Sequence, residues 1–439
     1  MKVVIIGGIA AGMSAAAKLK RMSPNDEVIV YEKGDIVSFG ACGLPYYAGG
    51  FFEDPNEMIA RTPEEFRASG IKLFTNHEVM KVDFNSKKLQ VKDLMTGVSV
   101  EESYDKLMIA TGASSIIPPI KGIDSENVLT LKSMEDGYKV RALMEDSNIR
   151  RVTVIGAGFI GLEAVEAAKQ LGKEVRVFQS ESRVLAQVFD KEITDVLEEE
   201  IKKHDVDLRL EELVSELVGE TKVEKIITNK GEYEADVVII ATGVRPNTSF
   251  LKDTSIEMLP NGAIIIDEYM RTSREDVFAA GDCCVVTYNP AKDTRYIPLA
   301  TNAVRMGTLV ARNIVKPTLK YMGTQGTSGI KIYEQNIAST GMTEEVAKAT
   351  TKMNIATVSL TDNYRPEFMP TYEPATIKIV YDADTRRILG GQIISKIDLT
   401  QFMNTLSVVI QNNMTIEELA MTDFFFQPHY NKPWSLLNA

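Results

Sequence analysis

Cysteine and histidine are scarce in this chain. Three cysteines, Cys42, Cys283 and Cys284, occur in 439 residues. So few exclude a disulfide-stapled secreted domain and fit a reducing compartment. The three histidines, His77, His204 and His429, stand far apart and show no metal-ligand spacing, so no metal site is expected. Long apolar runs are missing as well. No stretch approaches the roughly eighteen apolar residues of a transmembrane helix, and no membrane partner is expected. The opening run Val3–Ile6 is too short for a signal-peptide core, which makes a cytoplasmic protein the expectation. Basic charge is in deficit, with 49 Lys and Arg against 61 Asp and Glu and a net charge of −12. Such a chain is a poor polyanion binder, which argues against nucleic acid as a partner. What is present is an ordinary globular composition, 44% hydrophobic and 25% charged, long enough for two or three domains.

The first thirty-odd residues read as strand, small-residue turn, helix, strand and acid. These are Val3–Ile6, Gly7-Gly8-Ile9-Ala10-Ala11-Gly12, Met13–Met22, Glu27–Tyr31 and Glu32. This is the pattern of a dinucleotide-binding βαβ unit. The pattern recurs. Arg151–Ile155 is a strand, Gly156-Ala157-Gly158-Phe159-Ile160-Gly161 completes G-x-G-x-x-G, Leu162–Leu171 is a helix ending at Gly172, and Glu174–Phe178 is the next strand. A second repeat follows each unit: Leu107-Met108-Ile109-Ala110-Thr111-Gly112 matches Val238-Ile239-Ile240-Ala241-Thr242-Gly243. The duplication predicts two related Rossmann-like domains, the second inserted in the first. Another strand, Val277–Ala280, ends at Gly281-Asp282. From about Gly323 the character changes to an α+β domain with strands Ala375–Tyr381 and Ile388–Ile394 and a helix over Leu399–Asn412.

Glycine in such turns has a physical reason. A pyrophosphate must approach backbone N–H groups at a helix N-terminus, and a Cβ at the closest points blocks it. Ile9 replaces the middle glycine of the first turn. Glu32 is placed to accept from a ribose 2′-hydroxyl. At the equivalent place the second unit has Gln179, followed by Ser180, Glu181, Ser182 and Arg183. Gln179 removes the repulsion a carboxylate exerts on a 2′-phosphate, and Arg176 or Arg183 is expected to attract one. NADH and NADPH are both open.

Cys42 lies in Ser38-Phe39-Gly40-Ala41-Cys42-Gly43-Leu44-Pro45-Tyr46-Tyr47, directly after the first unit and at an expected helix start, where a thiolate is stabilised. With these motifs the chain resembles the pyridine nucleotide–disulfide oxidoreductases across essentially its whole length. Tyr47 stands where two-cysteine members carry their second cysteine, so the resemblance is to the single-cysteine branch of coenzyme A disulfide reductases, NADH oxidases and NADH peroxidases. The resemblance implies an α/β fold of two Rossmann-like nucleotide-binding domains plus a C-terminal α+β dimerisation domain. Its expected boundaries are 1–112 and 246–322 for FAD, 113–245 for NAD(P)H and 323–439 for the homodimer contact. It implies cofactor contacts from Gly7, Gly8, Ala11, Gly12, Glu32, Lys33, Val79, Ala110, Thr111, Gly112, Gly281, Asp282 and Ala300, and from Gly156, Gly158, Phe159, Ile160, Gly161, Gln179 and Gly243.

Within the branch the motifs pull two ways. Ser38-Phe39, Cys42 and Leu44-Pro45-Tyr46 resemble the coenzyme A disulfide reductases. Oxidases and peroxidases carry a histidine in the first turn where this chain has Ala10. The segments Arg365–Pro370 and Phe424–Trp434 look more like the oxidases. The reductase resemblance implies coenzyme A contacts from Ser14, Lys18, Arg21 and Ser38, and partner-subunit phenols at Cys42 from Tyr364 and from Tyr430, with Phe426 as the alternative. Cys283 and Cys284 are read as packing residues. The expected activity is an FAD-dependent NAD(P)H:disulfide reductase cycling through Cys42 as a low-pKa thiolate, with coenzyme A disulfide first and per- or polysulfides next. The alternatives are an NADH oxidase using a cysteine sulfenic acid and a slow redox sensor.

Overall fold

The computed structural model describes all residues, Met1 to Ala439. Lys2–Ile6 is a strand whose Val3, Val4 and Ile5 are wholly buried, as expected of a β-branched run covered on both faces. It is the centre of a five-stranded parallel sheet in the order Val277–Ala279, Lys106–Ile109, Lys2–Ile6, Glu27–Tyr31, Lys72–Phe74. A second parallel sheet runs Val206–Arg209, Glu174–Phe178, Arg151–Ile155, Val237–Ile240, Val128–Leu129. In both, the strand before the glycine turn lies between the strand after the helix and the strand that leads into Ala-Thr-Gly. The sequence repeat is therefore a repeat of topology. The outer strand Val277–Ala279 of the first sheet comes after the whole second sheet in the chain, so the second unit interrupts the first.

Each unit also carries a three-stranded antiparallel sheet, His77–Asp83, Lys88–Asp93 and Ser99–Ser103 in one, Val214–Val218, Lys225–Thr228 and Glu232–Glu234 in the other. The two chain crossings between the units, Ala113–Ser115 and Val244–Pro246, pair with each other.

Both helices after the glycine turns begin three residues before their expected starts, at Ala10 and at Phe159. The last residues of each turn are thus the first helical turn, whose amides have no intrahelical acceptor. Close contact explains the glycines. A Cβ on Gly7 collides with the Ala110 carbonyl, and one on Gly156 with the Ala241 carbonyl. Both glycines hold left-handed φ, +108° and +106°. A Cβ on Gly12 or Gly161 collides with the carbonyl of Gly7 or Gly156. Gly158 differs, because nothing lies within 4 Å of its missing Cβ.

The C-terminal part is a five-stranded antiparallel sheet in the order Ser328–Ile332, Gln335–Gly341, Ile388–Ser395, Pro374–Asp382, Ile355–Asn363. Leu406 and Val409 of the Phe402–Gln411 helix pack on it in one apolar cluster with Ile377 and Ile379. That helix is shorter than its expected span because the Asp398 carboxylate accepts from the Thr400 amide and hydroxyl and holds a turn there. A buried ion network ties this sheet to the second nucleotide unit: Lys378 Nζ reaches Glu344 at 2.7 Å, Glu192 at 2.9 Å and Asp190 at 3.3 Å.

Candidate active site

The two glycine turns are built alike down to individual hydrogen bonds. The Gly8 amide donates to Glu32 Oε2 at 2.6 Å, and the Ala157 amide donates to Gln179 Oε1 at 3.2 Å. Thr111 Oγ1 donates to the Asn247 carbonyl at 2.7 Å, and Thr242 Oγ1 to the Ile116 carbonyl at 2.9 Å. So each Ala-Thr-Gly segment abuts its glycine turn with the alanine carbonyl and ties the interdomain crossing with the threonine hydroxyl. Glu32 also accepts from the Gly34 amide at 2.8 Å, and burial pushes its carboxyl up from the ordinary range. Open space at Gly112 and Gly158, unpaired first-turn amides and a polar group at each strand end fit a dinucleotide in each cradle.

Other expected cofactor residues surround these cradles in different ways. Ala11 is buried, and its carbonyl is so close to Gly307 that a Cβ there collides with it. Gly281 closes the same contact, with its missing Cβ 3.1 Å from the Ala11 Cβ. Gly307 therefore lets the Ala300–Asn313 helix, which Ala300 opens, lie against the Ala10–Met22 helix at Ala11, with Gly281 fitted against Ala11 and Ala303. Val79 is buried in the core of the first unit, and its neighbour Glu78 pairs with Lys33 at 2.8 Å. Phe159 and Ile160 begin their helix and pack against the core of the second unit. Gly243 holds a left-handed φ of +108°.

Cys42 is the middle residue of a single 3₁₀ turn, Ala41–Gly43, followed by the short helix Leu44–Ala48. The turn belongs to the first unit in sequence but is seated on the second. A Cβ on Gly49, just past that helix, would sit 2.9 Å from Ala167 of the Phe159–Gln170 helix. Tyr47 anchors the segment, with its carbonyl accepting from Arg141 Nη1 at 3.1 Å and its ring beneath the Arg141 guanidinium. Solvent reaches Cys42, yet protein crowds the sulfur, and this burial pushes its thiol up; Glu163 adds to the rise and Lys132 opposes it. The expected low-pKa thiolate is thus corrected. The helix after Cys42 is too short for a strong dipole, and Glu163 and Asp282 are both nearby acids that disfavour the thiolate.

Sequence reasoning missed two of these neighbours. Lys132 Nζ stands 3.8 Å from Asp282, whose carboxyl is raised by burial. Glu163 sits two residues past Gly161, and burial, with Glu166, pushes it up to about 7. Neither carries a motif of its own; position after the third glycine was the one available signal for Glu163.

The remaining candidates are placed as follows. Ser14, Lys18 and Arg21 share one face of the Ala10–Met22 helix, and neither cation has a carboxylate partner within the chain. Ser38 holds a left-handed φ of +53°, its amide donating to the Gly8 carbonyl at 3.0 Å. Tyr364 and Tyr430 lie in the C-terminal part: Tyr364 packs on its apolar cluster under Arg365, and Tyr430 is exposed beside Phe425. Cys283 and Cys284 are buried, with sulfurs bonded to backbone carbonyls. The expected attraction of Arg176 or Arg183 for a 2′-phosphate is corrected. Arg176 Nε is bonded to Asp207 at 2.6 Å, and Arg183 is buried on the Phe189 carbonyl, Thr194 and Glu345. The histidine expectation also needs amending. His204 lies 3.1 Å from Glu334 and 3.6 Å from Glu200, a ligand-type cluster that linear spacing did not show because Glu334 comes from the C-terminal sheet.

The family model described as pyridine nucleotide-disulphide oxidoreductase matches residues 1–307, and the dimerisation-domain model of the same family matches 327–436. The NADH oxidase of Enterococcus faecalis is 46% identical over 440 residues, covering 100% of this chain and 98% of that protein. The NAD(P)H coenzyme A polysulfide/persulfide reductase of Pyrococcus horikoshii is 36% identical over 437 residues, covering 99% and 96%. The solved water-forming NADH oxidase from Lactobacillus brevis, bound to NADH, matches with a TM-score of 0.96 at 45% identity, covering 100% of this chain and 96% of that one.

Proposed function

This chain belongs to the pyridine nucleotide-disulphide oxidoreductase family, and from that premise we propose a homodimeric flavoprotein that oxidises NADH with dioxygen as the acceptor and uses Cys42, cycling through a sulfenic acid, to reduce the peroxide formed on the way to water. The observation that carries the reading is the position of Cys42. Its turn follows the first glycine cradle in sequence and is seated in space against the helix of the second. A thiol there lies where chain of the first unit meets the helix that opens the second cradle. FAD, held by the first cradle, supplies the two-electron acceptor for the nicotinamide in the second.

The chain's own groups supply the rest. The first-turn amides of the Ala10–Met22 and Phe159–Gln170 helices hold the pyrophosphates. Glu32 accepts from a ribose hydroxyl. Lys132, beside Asp282, favours the Cys42 thiolate. Ala10 offers no proton where oxidases carry histidine. Glu163, poised at about 7, is the titratable neighbour of Cys42 able to hold or release one near neutrality. Oxidases of this length and similarity support dioxygen as the acceptor, the one the sequence analysis placed second.

A second reading has its own observation. Lys18 and Arg21, without carboxylate partners on the face that carries Ser14, suit an anionic thiol carrier such as coenzyme A, as in the persulfide reductase relative. Steady-state NADH consumption by the FAD-loaded protein separates the two. Consumption in air that stops under argon supports the oxidase. Consumption under argon driven by coenzyme A disulfide supports the reductase and overturns the first reading.

A further inference from the structure

We propose that Glu181 is the residue that makes this protein select NADH over NADPH, acting in place of the missing acid at position 179. The inference rests on the second cradle taking the nicotinamide nucleotide. Gln179 reproduces one half of what Glu32 does in the first unit: its amide oxygen accepts the Ala157 amide at 3.2 Å, as Glu32 accepts the Gly8 amide. It does not reproduce the charge. The charge returns two residues later. Gln179 Nε2 donates to Glu181 Oε2 at 3.3 Å, and Gln187 Nε2 donates to Glu181 Oε1 at 3.4 Å. The Glu181 carbonyl is fixed in turn by the Glu211 amide at 3.0 Å. A half-buried carboxylate is thus held by two side-chain amides beside the group that clamps the glycine turn.

The arginines of this corner are committed elsewhere. Arg176 and Arg209 both point their Nε at Asp207, each at 2.6 Å, and both stack on Tyr233. Arg183 is drawn inward by Glu345 of the C-terminal part at 2.5 Å. Lys230 donates to the Leu210 carbonyl at 3.1 Å and has no carboxylate partner. A ribose 2′-hydroxyl can donate to Glu181. A 2′-phosphate meets that carboxylate with no arginine free to compensate, and specificity here is the difference between those two encounters.

The test uses the FAD-loaded full chain, with binding of NAD⁺ and NADP⁺ followed by calorimetry so that no electron acceptor is involved. Wild-type protein should bind NAD⁺ at least about tenfold more tightly, and Glu181→Gln should narrow the gap by about tenfold. Glu181→Asp, which keeps the charge, should hold most of the preference. The NADPH/NADH ratio of kcat/KM should move in the same direction, with FAD content and thermal midpoint unchanged. A wild-type preference for NADP⁺, which would give Lys230 the decisive role, or an unchanged gap in Glu181→Gln overturns the proposal. Because the binding arm needs no turnover, it stands or falls apart from the choice of dioxygen as acceptor.

Discussion

Cys42 is reachable from solvent but held as a thiol by its surroundings, with burial first and the Glu163 carboxylate second. Cys42→Ser should keep FAD and its reduction by NADH, which need only the two cradles, while dioxygen reduction in air stops at peroxide. Anaerobic stopped-flow bleaching of the flavin alongside an aerobic assay of peroxide against NADH consumed checks both halves. Glu163→Gln removes a charge that disfavours the thiolate, so Cys42 should be alkylated roughly threefold to tenfold faster above about pH 8, where Glu163 is ionised, and nearly as in wild type at acid pH. The sign also sets the pH profile. Below about 7 Glu163 is protonated and does not oppose the thiolate; above that it does, so wild-type alkylation should climb less steeply through neutrality than that of Glu163→Gln. The same raised carboxyl binds its proton more tightly folded than unfolded. Its contribution to stability is present at acid pH and is lost as pH rises from the ordinary carboxylate range through about 7.

The glycine turns separate two uses of one residue type. Gly161 is glycine because the Gly156 carbonyl occupies the space of a Cβ, whereas Gly158 faces open space. Gly161→Ala should therefore lower the thermal midpoint, since backbone has to move to admit the methyl. Gly158→Ala should leave the melt unchanged and weaken NADH, with KM raised by about tenfold, because a methyl then projects where the pyrophosphate approaches. Calorimetric melts and NADH titrations on both variants distinguish a packing glycine from a ligand glycine. Equal melting penalties would show that the second cradle is not open at Gly158. The same logic explains why Ala11 was legible as a site position although its contact is with another helix: small size serves both close ligand approach and close helix packing.

Across the molecule, an apolar cluster and a buried ion pair join the second unit to the C-terminal sheet, and the C-terminal part leaves large aromatic side chains uncovered. Lys378 and Asp190 each have only 2% of their side chains exposed, and they face one another across the junction of the second unit with the C-terminal sheet. Lys378→Met should cost about 3–5 kcal/mol, because Asp190 is left buried without its cation. A thermal midpoint within error of wild type would contradict this. On the C-terminal part, Phe368, Phe425, Tyr430 and Trp434 are all exposed, with Phe425 70% accessible. A single chain rarely leaves such a set in water, and a second copy is the fitting cover for the dimerisation domain. Phe425→Asp should shift sedimentation toward the monomer and reduce turnover while flavin reduction by NADH persists. A dimeric variant with full activity would place the interface elsewhere.

Sequence alone determined the duplicated nucleotide-binding frame, some of it to the residue. Glu27–Tyr31, Arg151–Ile155 and Glu174–Phe178 are strands with the bounds their apolar runs predict. Such runs and glycine turns obey local steric rules, and a repeat makes each copy evidence for the other. Helix starts were less legible, since nothing in Ala10-Ala11-Gly12 marks where a turn becomes a first helical turn. Tertiary structure alone decided the electrostatics of the sites. Arg183 looked free for a phosphate until Glu345, 162 residues away, claimed it. Lys132 and Asp282 meet beside a cysteine from a third stretch of chain, and Glu181 recovers a charge that Gln179 had removed. A residue's type states which bonds it can make; which of them it makes depends on partners that only the folded chain brings within reach.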